Sequence, residues 1–585
     1  MKTLTAILSK KFADAIVIAF PELEGEDFPL EVTPATQGKF GHYQCNSAMR
    51  LVKPLKMPPR TIAEKIVESC DCSWSGGTMI DNLEVAGPGF INVTLDVKFL
   101  AVHVEKMLKG AHLGLDFPTD KQKIILDFSS PNIAKEMHVG HLRTTIIGDC
   151  LARLFEFLGH NVERVNHLGD WGTAFGMLIA HMKEIAPGVF SGDEEVDLLQ
   201  LETWYKESKK RFDSDEEFKK CSQLEVVALQ GGEAEALKAW KIICDISEKA
   251  YDEIYDILDV KLTPRGESFY NPMLPEVITD LESKGLIEIS EGAKCVFLEG
   301  FVNREGDPLP LMVQKSDGGY NYDTTDMAAI RYRVEEQKGD RLIYVVDAGQ
   351  AQHFAMIFQA AIKAGYVDPE KVRTDYVPFG VVLGPDGKKF RTRSGKVEKL
   401  VDLLYAAVDG AEKILEERDP NIGEAERKKI AKALGIGAIK YADLSCNRTG
   451  DYVFSYDRML RFEGNTAAFL MYSYVRIAGI KRKIDIDFEA IKASTHIELT
   501  HPSEMALALH LLRFGEALAD VEEELLPNRL SDYLYILAEK FNHFHRDCRV
   551  VGTPEQNPRL LLCEAVANVM KQGLHILGVE TVERM

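Results

Sequence analysis

The sequence predicts a multidomain α/β protein: a Rossmann-type parallel-sheet core carrying an insertion, an α+β domain ahead of it and an all-α domain behind it. Three observations carry that expectation. Short apolar runs of buried-strand type, KIILDF from Lys123 and RLIYVVDAG from Arg341, alternate with stretches of helical periodicity, as in a parallel sheet with helical crossovers. Around the first run the pattern is complete. Leu142, Ile146, Ile147, Cys150, Leu151, Leu154, Phe155 and Leu158 recur at helical spacing, Gly159 punctuates the end, and NVERVNH reads as the next strand, making a βαβ unit. Third, 585 residues exceed what one core serves, and about 150 residues per domain divides the chain into roughly four.

In chain order, residues 1–115 mix helical and strand-like pieces and close on AGPGFINVTLDVKFL, where Gly87, Pro88 and Gly89 mark a turn before the alternating strand FINVTL. The core is expected in two halves, residues 116–185 and 311–400. The second half holds RLIYVVDAG as a strand, QHFAMIFQAAIKAGY as a helix and DYVPFGVVL as a strand, then a basic, glycine-containing loop. Residues 186–310, between the halves, read mostly as charged amphipathic helix and form the expected insertion. From 401 to 585 strands give way to leucine- and alanine-rich helix such as RLLLCEAVANVMKQGLHILG.

Composition excludes several classes. With 45% hydrophobic and 28% charged residues, the chain reads as an ordinary globular protein without low-complexity tracts or solenoid repeats. No segment approaches the ~20 uninterrupted apolar residues of a membrane span, and the first twenty residues suit an amphipathic helix better than a signal peptide. The ten cysteines are scattered, with Cys70 and Cys72 the only close pair, which points to a reducing cytoplasm. The net charge of −21 is a weak veto on a nucleic-acid partner, because phosphate contact needs only a local basic surface. Residues 371–400 and 476–483 supply such stretches.

The chemistry concentrates in SSPNIAKEMHVGHLRTTIIGD, from Ser129 to Asp149. A metal reading of His138 and His141 lacks a third ligand: Val139 replaces the glutamate of H-E-x-x-H, and no cysteine cluster completes a zinc set. A phosphate reading fits the place. Ligands of open α/β sheets sit at the carboxyl ends of strands beside helix N-termini, whose N–H groups and dipole favour anions. Gly140 would let a nucleotide approach the backbone, the histidines would donate hydrogen bonds to phosphate oxygens, and Lys135 adds a mobile cation.

This stretch resembles the HIGH signature of class I aminoacyl-tRNA synthetases, and its longer form resembles arginyl-tRNA synthetases. VNHLGDWGTAFGMLI, DTTDMAAIRYR, KKFRTRSGK, NTAAFLMYSYVRI and the terminal ILGVETVERM agree with that family in order. The resemblance implies ATP contacts from His138, Gly140, His141, His353, Lys389 and Phe390. The place of the class KMSKS loop reads Phe390-Arg391-Thr392-Arg393-Ser394, without the expected lysines, so the catalytic set implied is Lys135, His138, His141 and Arg393, with Lys389 assisting.

A guanidinium is planar, permanently charged and carries five donors, so its pocket needs a carboxylate in bidentate geometry. The resemblance maps that role onto Asp326, with Tyr322 four residues earlier on the same helical face. It places Ser130, Asn132, His141 and Gln350 at the ammonium and carboxylate ends of arginine. Asp127 stands where glutamate is common, and its shorter reach calls for a bridging water. His167 and Asp170 of NHLGDWG either line the same crevice or hold its shape. The reaction implied is ATP-dependent formation of arginyl-adenylate and transfer to tRNA(Arg), with Mg²⁺ entering on ATP and no resident metal. The helical C-terminal domain resembles an anticodon-binding domain, in which Tyr472 and Tyr474 would stack on bases and Arg476 meet phosphates. The resemblance also implies tRNA contact by the N-terminal domain and by the insertion at the acceptor end, and a cytoplasmic monomer. A small-molecule nucleotidyltransferase, a tRNA-binding scaffold without activity and a sister class I synthetase are the competing readings.

Overall fold

Five strands form the sheet that positions the candidate site: β1 (Lys123–Asp127), β2 (Asn161–Asn166), β3 (Thr263–Pro264), β4 (Arg341–Asp347) and β5 (Arg373–Phe379). All pair in parallel, in the order β5-β4-β1-β2-β3. Ile124, Ile125 and Leu126 of β1 and Leu342, Ile343 and Val345 of β4 are buried. Strands covered on both faces have no polar face to alternate with, so they read as continuous apolar runs. Asp127, the last residue of β1, lies opposite Val165 of β2 on one side and Tyr344 of β4 on the other. The chain leaves β1 in one direction and returns to its other flank, so the strand order reverses at the carboxyl end of β1. Ligands of open α/β sheets bind at such a point.

The structure is a computed structural model that describes residues 2–116, 118–384, 386–388, 390, 399–484 and 487–585. These divide into two units, one of which, residues 118–460 with 576–579, contains the sheet. Helix α1 (Val139–Phe157) crosses from β1 to β2, and α2 (Thr173–Ile185), α3 (Leu198–Ser214), α4 (Glu216–Gln230) and α5 (Ala234–Ile257) follow β2. Helix α6 (Tyr322–Glu335) leads into β4, and α7 (Ala351–Lys363) joins β4 to β5.

One sequence reading gains a qualification and another is corrected. The segment between the halves is mostly helical, as expected, but closes on an antiparallel sheet of Glu288–Ser290, Ala293–Val302 and Pro308–Gln314. A register shift between Phe297 and Val302 breaks the period of two that would have announced it. Beyond residue 401, where only helix is expected, Tyr452–Val453 pairs in parallel with Val382–Leu383. Two residues are too few to carry a periodic signal. Helices Leu400–Arg418 and Glu424–Leu444 belong to the sheet unit.

The other unit joins residues 1–117 to 461–575 and 580–585. Its first part sets helices Leu4–Ala19, Pro59–Ser69 and Val97–Lys109 with a four-stranded antiparallel sheet, and its second is helical from Ala467–Lys483 to Gln556–Ile576. The Glu516 carboxylate links the two parts, accepting from the Thr5 N–H (2.8 Å), the Thr5 hydroxyl (2.6 Å) and the Tyr43 hydroxyl (2.9 Å). Among the described residues no helix is long and apolar enough to cross a membrane.

Helix α1 lies close on β1 because Gly148 faces the Phe128 ring; a Cβ there would come within 2.1 Å of Phe128 Cγ. Helix propensity favours alanine over glycine by about 1 kcal/mol, whereas overpacking a filled core costs about 1–3 kcal/mol. Gly148→Ala is therefore expected to lower the thermal unfolding midpoint, and adding Phe128→Leu to restore part of it. A midpoint raised by the single substitution would show that the ring yields without cost.

Candidate active site

Between β1 and α1 the backbone is left-handed at three non-glycine residues, Ser129 (φ 72°), Ser130 (φ 48°) and Ala134 (φ 60°). Each costs roughly 1 kcal/mol or more and persists only where neighbours over-determine it. Here they do. The Ser129 N–H donates to the Thr144 hydroxyl of α1 (3.0 Å), which donates to the Val345 carbonyl of β4 (2.6 Å). The Ser130 N–H donates to Asn166 Oδ1 at the end of β2 (2.9 Å), and the Ser130 hydroxyl donates to Asp127 Oδ1 (2.9 Å) while accepting from the His167 N–H (3.0 Å). Asn132, exposed at the tip, pairs its backbone with Gly169; a Cβ on Gly169 would lie 2.2 Å from Asn132 Oδ1.

The two histidines open α1. His138 is the N-cap and its Nδ1 accepts from the Gly140 N–H (3.0 Å), while His141 Nδ1 accepts from the His138 N–H (3.1 Å). This is a reciprocal capping box built from two imidazoles. With both Nδ1 atoms accepting, the pattern assigns the proton of each neutral ring to Nε2, which becomes its outward donor. Burial, with His138 and Lys135 beside it, pushes His141 down to about 3, so it is uncharged at ordinary pH. The structure adds a reason for Gly140: a Cβ there would meet the His138 ring at 2.8 Å, so glycine keeps room for the cap.

Lys135 is exposed, its ammonium 5.1 Å from the Tyr205 ring of α3. Next to it, Glu136 pairs with Lys399 (2.8 Å) and the Met137 carbonyl accepts from the Leu400 N–H (3.0 Å). The segment after residues 391–398 is thus tied to the histidine stretch. On the other side of that segment, the Phe390 N–H donates to the Val382 carbonyl (3.0 Å) and its ring meets Phe454 at 5.2 Å. Lys389 and Arg393 lie outside the described residues.

The start of α6 sets two carboxylates around a histidine of the first turn of α7. His353 Nε2 lies 2.6 Å from Asp326 Oδ2 and its Nδ1 3.2 Å from Asp323 Oδ1. Burial opposes a charge on this ring, but hydrogen bonds and charge from Asp323 and Asp326 outweigh it and lift His353 from 6.5 to about 9. Tyr322 sets its ring edge-on to His353 at 5.1 Å, on the face it shares with Asp326. His353, expected beside adenine and ribose, therefore has both ring nitrogens on α6 carboxylates. Asp127 has both its oxygens engaged inside the fold, one by Ser130 and one by the buried Arg333 of α6 (2.6 Å). Gln350 is exposed at the carboxyl end of β4, immediately before α7.

Glu267 escapes sequence reasoning. Burial, then the charges of Asp326 and Asp170, push its carboxyl up to about 7. It is aimed by the NHLGD loop: its N–H donates to the Leu168 carbonyl (3.0 Å), and Asp170 accepts from the Ser268 N–H (2.8 Å) and hydroxyl (2.6 Å). His167 stacks on Tyr270 at 5.5 Å. Asp170 and His167 thus hold shape in this structure, and no local pattern marks Glu267.

Tyr472, Tyr474 and Arg476 lie in the other unit, on helix Ala467–Lys483. Tyr474 is largely buried and donates to Glu583 Oε1 (2.8 Å), yet it lines a cavity of ≈ 280 Å³ with Lys481 and Arg482. Arg476 lies over the Tyr472 ring at 4.9 Å and donates to Asn542 Oδ1 (2.8 Å). Among the described residues, no three or more His, Cys, Asp or Glu side chains are grouped to hold a metal ion.

A parallel sheet with its reversal beside β1, a histidine pair capping the first crossover helix and a second crossover helix between β4 and β5 make a core of the class I aminoacyl-tRNA synthetase kind. The profile described as the class I tRNA synthetase (R) catalytic domain matches residues 103–456. The arginyl tRNA synthetase N terminal domain matches 3–95 and the DALR anticodon binding domain 470–585. The chain belongs to the arginyl-tRNA synthetase family. It is 64% identical over 587 residues to the arginine–tRNA ligase of Protochlamydia amoebophila and 50% identical over 584 to that of Chlamydia abortus, each covering 100% of both chains. The crystal structure of arginyl-tRNA synthetase from Plasmodium falciparum is 34% identical and superposes with a TM-score of 0.88 over 100% of both chains. The Thermus thermophilus enzyme, 23% identical, shares the fold at a TM-score of 0.78 over 100% of both.

The His353 pairing sets a pH dependence. A folded value near 9 above an unfolded 6.5 means that its stabilisation is complete below about pH 6.5 and is lost as pH rises through about 9. NMR titration should place His353 near the upper value, and Asp326→Asn should lower it and flatten the fall in stability across that window. A wild-type titration at 6.5 would refute the pairing.

Proposed function

We infer that the chain is an arginine–tRNA ligase: it activates L-arginine with ATP, giving arginyl-adenylate and pyrophosphate, and transfers the arginyl group to the 3′ end of tRNA(Arg), releasing AMP. Family membership carries the reaction. The observation that supports the substrate most directly is the acidic cluster of Asp326, Asp323 and Glu267, whose charge is only partly offset in this structure by His353.

The guanidinium takes Asp326 as its forked partner, beside Tyr322, with Glu267 as a second carboxylate. Its positive charge replaces that of His353 and draws the proton off Glu267. Ser130, Asn132, His141 and Gln350 hold the ammonium and carboxylate ends, and Asp127 sets Ser130. The arginine carboxylate oxygen then attacks the α-phosphorus as the bond to pyrophosphate breaks. The Nε2–H groups of His138 and His141, the α1 N-terminus and Lys135 face the charge that builds on the phosphates, assisted by Lys389, Phe390 and Arg393. Mg²⁺ enters on the phosphates of ATP and needs no protein cage. The terminal ribose hydroxyl of tRNA finally attacks the activated carbonyl, and no protein nucleophile takes part. The helical C-terminal domain reads the anticodon, with Tyr472, Tyr474 and Arg476 in contact, and the N-terminal domain and insertion hold other parts of the tRNA. The enzyme works as a cytoplasmic monomer.

ATP–pyrophosphate exchange, run with each amino acid and with or without tRNA(Arg), is the direct test. Exchange with arginine is expected; exchange with another amino acid alone would refute the substrate, and silence even with tRNA would favour a scaffold. Asp326→Ala should lower kcat/KM for arginine at least about 100-fold, because the forked carboxylate partner is lost, while tRNA affinity stays within about threefold. Equal losses in both would remove Asp326 from the pocket.

Glu267→Gln should raise KM for arginine about tenfold, as expected for one charge-assisted hydrogen bond lost. It should also lower the proton release that accompanies arginine binding near pH 7, leaving the part that comes from His353, read by calorimetry in buffers of different ionisation enthalpy. Unchanged release would place the proton elsewhere.

A further inference from the structure

Helix α5 presents three hydroxyls in one stripe, Ser247, Tyr251 and Tyr255, at spacings of four residues, and all three are buried. The Tyr251 hydroxyl lies 2.7 Å from the Asn132 carbonyl and 2.8 Å from the Lys135 carbonyl. One O–H proton is thus shared between two acceptors three residues apart, which curls the segment around the ring's tip. Between them, the N–H of left-handed Ala134 donates to the Ser247 hydroxyl (3.0 Å). One turn of helix further on, the Tyr255 hydroxyl meets the hydroxyl of left-handed Ser129 (2.8 Å) and accepts from Asn166 Nδ2 (3.2 Å). Trp240, toward the start of α5, donates to the Asp170 carbonyl (2.7 Å) in the loop that pairs with Asn132.

An apolar helix face would cover this loop as completely without burying three hydroxyls, which is favourable only where each finds a partner. Every partner here lies on the Ser129–Lys135 loop, on Asn166 beside it or on α5 itself. Helix α3 adds the Tyr205 ring under the Lys135 ammonium.

We propose that Tyr251, with Ser247 and Tyr255 on α5 and Tyr205 on α3, is a positioning residue for arginine activation. The stripe clamps the left-handed loop so that Ser130 and Asn132 face the amino acid, and Tyr205 sets where Lys135 points. The proposal rests on the reading of this loop as the arginine- and phosphate-binding segment. It extends the role of these helices from covering the core to setting the geometry of the first chemical step.

The test uses the full-length enzyme with arginine, ATP and tRNA(Arg). Tyr251→Phe keeps the ring and removes only the shared proton. It should lower kcat of pyrophosphate exchange about tenfold and raise KM for both arginine and ATP, since misplacement of this order costs tenfold or more. Affinity for tRNA should stay at its wild-type value and the unfolding midpoint should fall by no more than about 2 °C, as one lost buried hydrogen bond in a chain of this size predicts. Tyr205→Leu should raise KM for ATP about fivefold, and Tyr205→Phe, which keeps the cation–π contact, should restore it. A fall in kcat with both KM values unchanged, or a fall in the unfolding midpoint beyond that margin, would assign Tyr251 to stability alone and overturn the proposal. Hydrogen exchange reads the clamp without activity: the Ala134 amide should exchange about tenfold faster in Tyr251→Phe, as one lost buried hydrogen bond predicts. Unchanged exchange overturns the clamp. A wild-type enzyme silent with arginine and tRNA refutes the assigned reaction instead.

Discussion

The loop from Ser129 to Ala134, left-handed at Ser129, Ser130 and Ala134, is the constraint on which the sheet unit depends. L-residues resist that conformation, so the loop exists only because four elements hold it: Thr144 of α1 carries it to β4, Asn166 ends β2 against it, Gly169 pairs with its tip, and α5 grips its far side. Each of those contacts fixes something else as well. The Thr144 contact sets the height of α1 on the sheet, and with it the place of the histidine caps. The Gly169 contact fixes the loop whose Asp170 and Leu168 aim Glu267. Strain stored at one turn is thereby converted into order over the crevice where the sheet reverses direction.

Three histidines show how environment divides the chemistry. His138 and His141 cap a helix with Nδ1 and keep the proton on Nε2, and His141 is kept neutral by burial and by cations nearby. A neutral N–H donor beside Lys135 serves an anion at any ordinary pH without adding a charge that the helix N-terminus would repel. His353 sits between two carboxylates and carries a charge for that reason. An acidic chain of net charge −21 thus carries neutral imidazole donors at one helix N-terminus and a charged imidazole between carboxylates at another.

What was legible in the sequence was what local pattern encodes. The strands of the sheet read as apolar runs because both their faces are covered, α1 and α7 read from helical spacing, and the HVGH stretch sits at the start of α1 where its phosphate reading needs it. Asp326 and Tyr322 share a helical face, as four-residue spacing requires. Pairing over long separations was not legible. Arg333 meets Asp127 across 206 positions, the Tyr251 hydroxyl finds carbonyls more than a hundred residues away, and Glu267 acquires its environment from Asp326 and Asp170. Periodicity reports which face is buried, not which buried polar group answers which. The antiparallel strands Glu288–Ser290, Ala293–Val302 and Pro308–Gln314 escaped for a related reason, since a register shift erases alternation.

Arg333 also clarifies what an arginine pocket demands. The protein's own guanidinium is buried for good, with the Asp127 carboxylate at 2.6 Å and the Tyr344 ring 5.0 Å below it. A pocket for a substrate guanidinium must offer similar partners and also stand empty between turnovers, when bare buried carboxylates would repel one another. In the proposed pocket a histidinium and a glutamate pushed up to about 7, and so only partly charged near neutral pH, stand in for the missing cation. Binding is then an exchange, and affinity is the difference between two sets of ion pairs. A neutral isostere of arginine cannot displace His353. Lysine brings the charge but a single ammonium point, which cannot fork across the carboxylate as guanidinium does. Selectivity follows from the partly balanced empty state as much as from the filled one, because every competitor must first displace what already occupies the pocket.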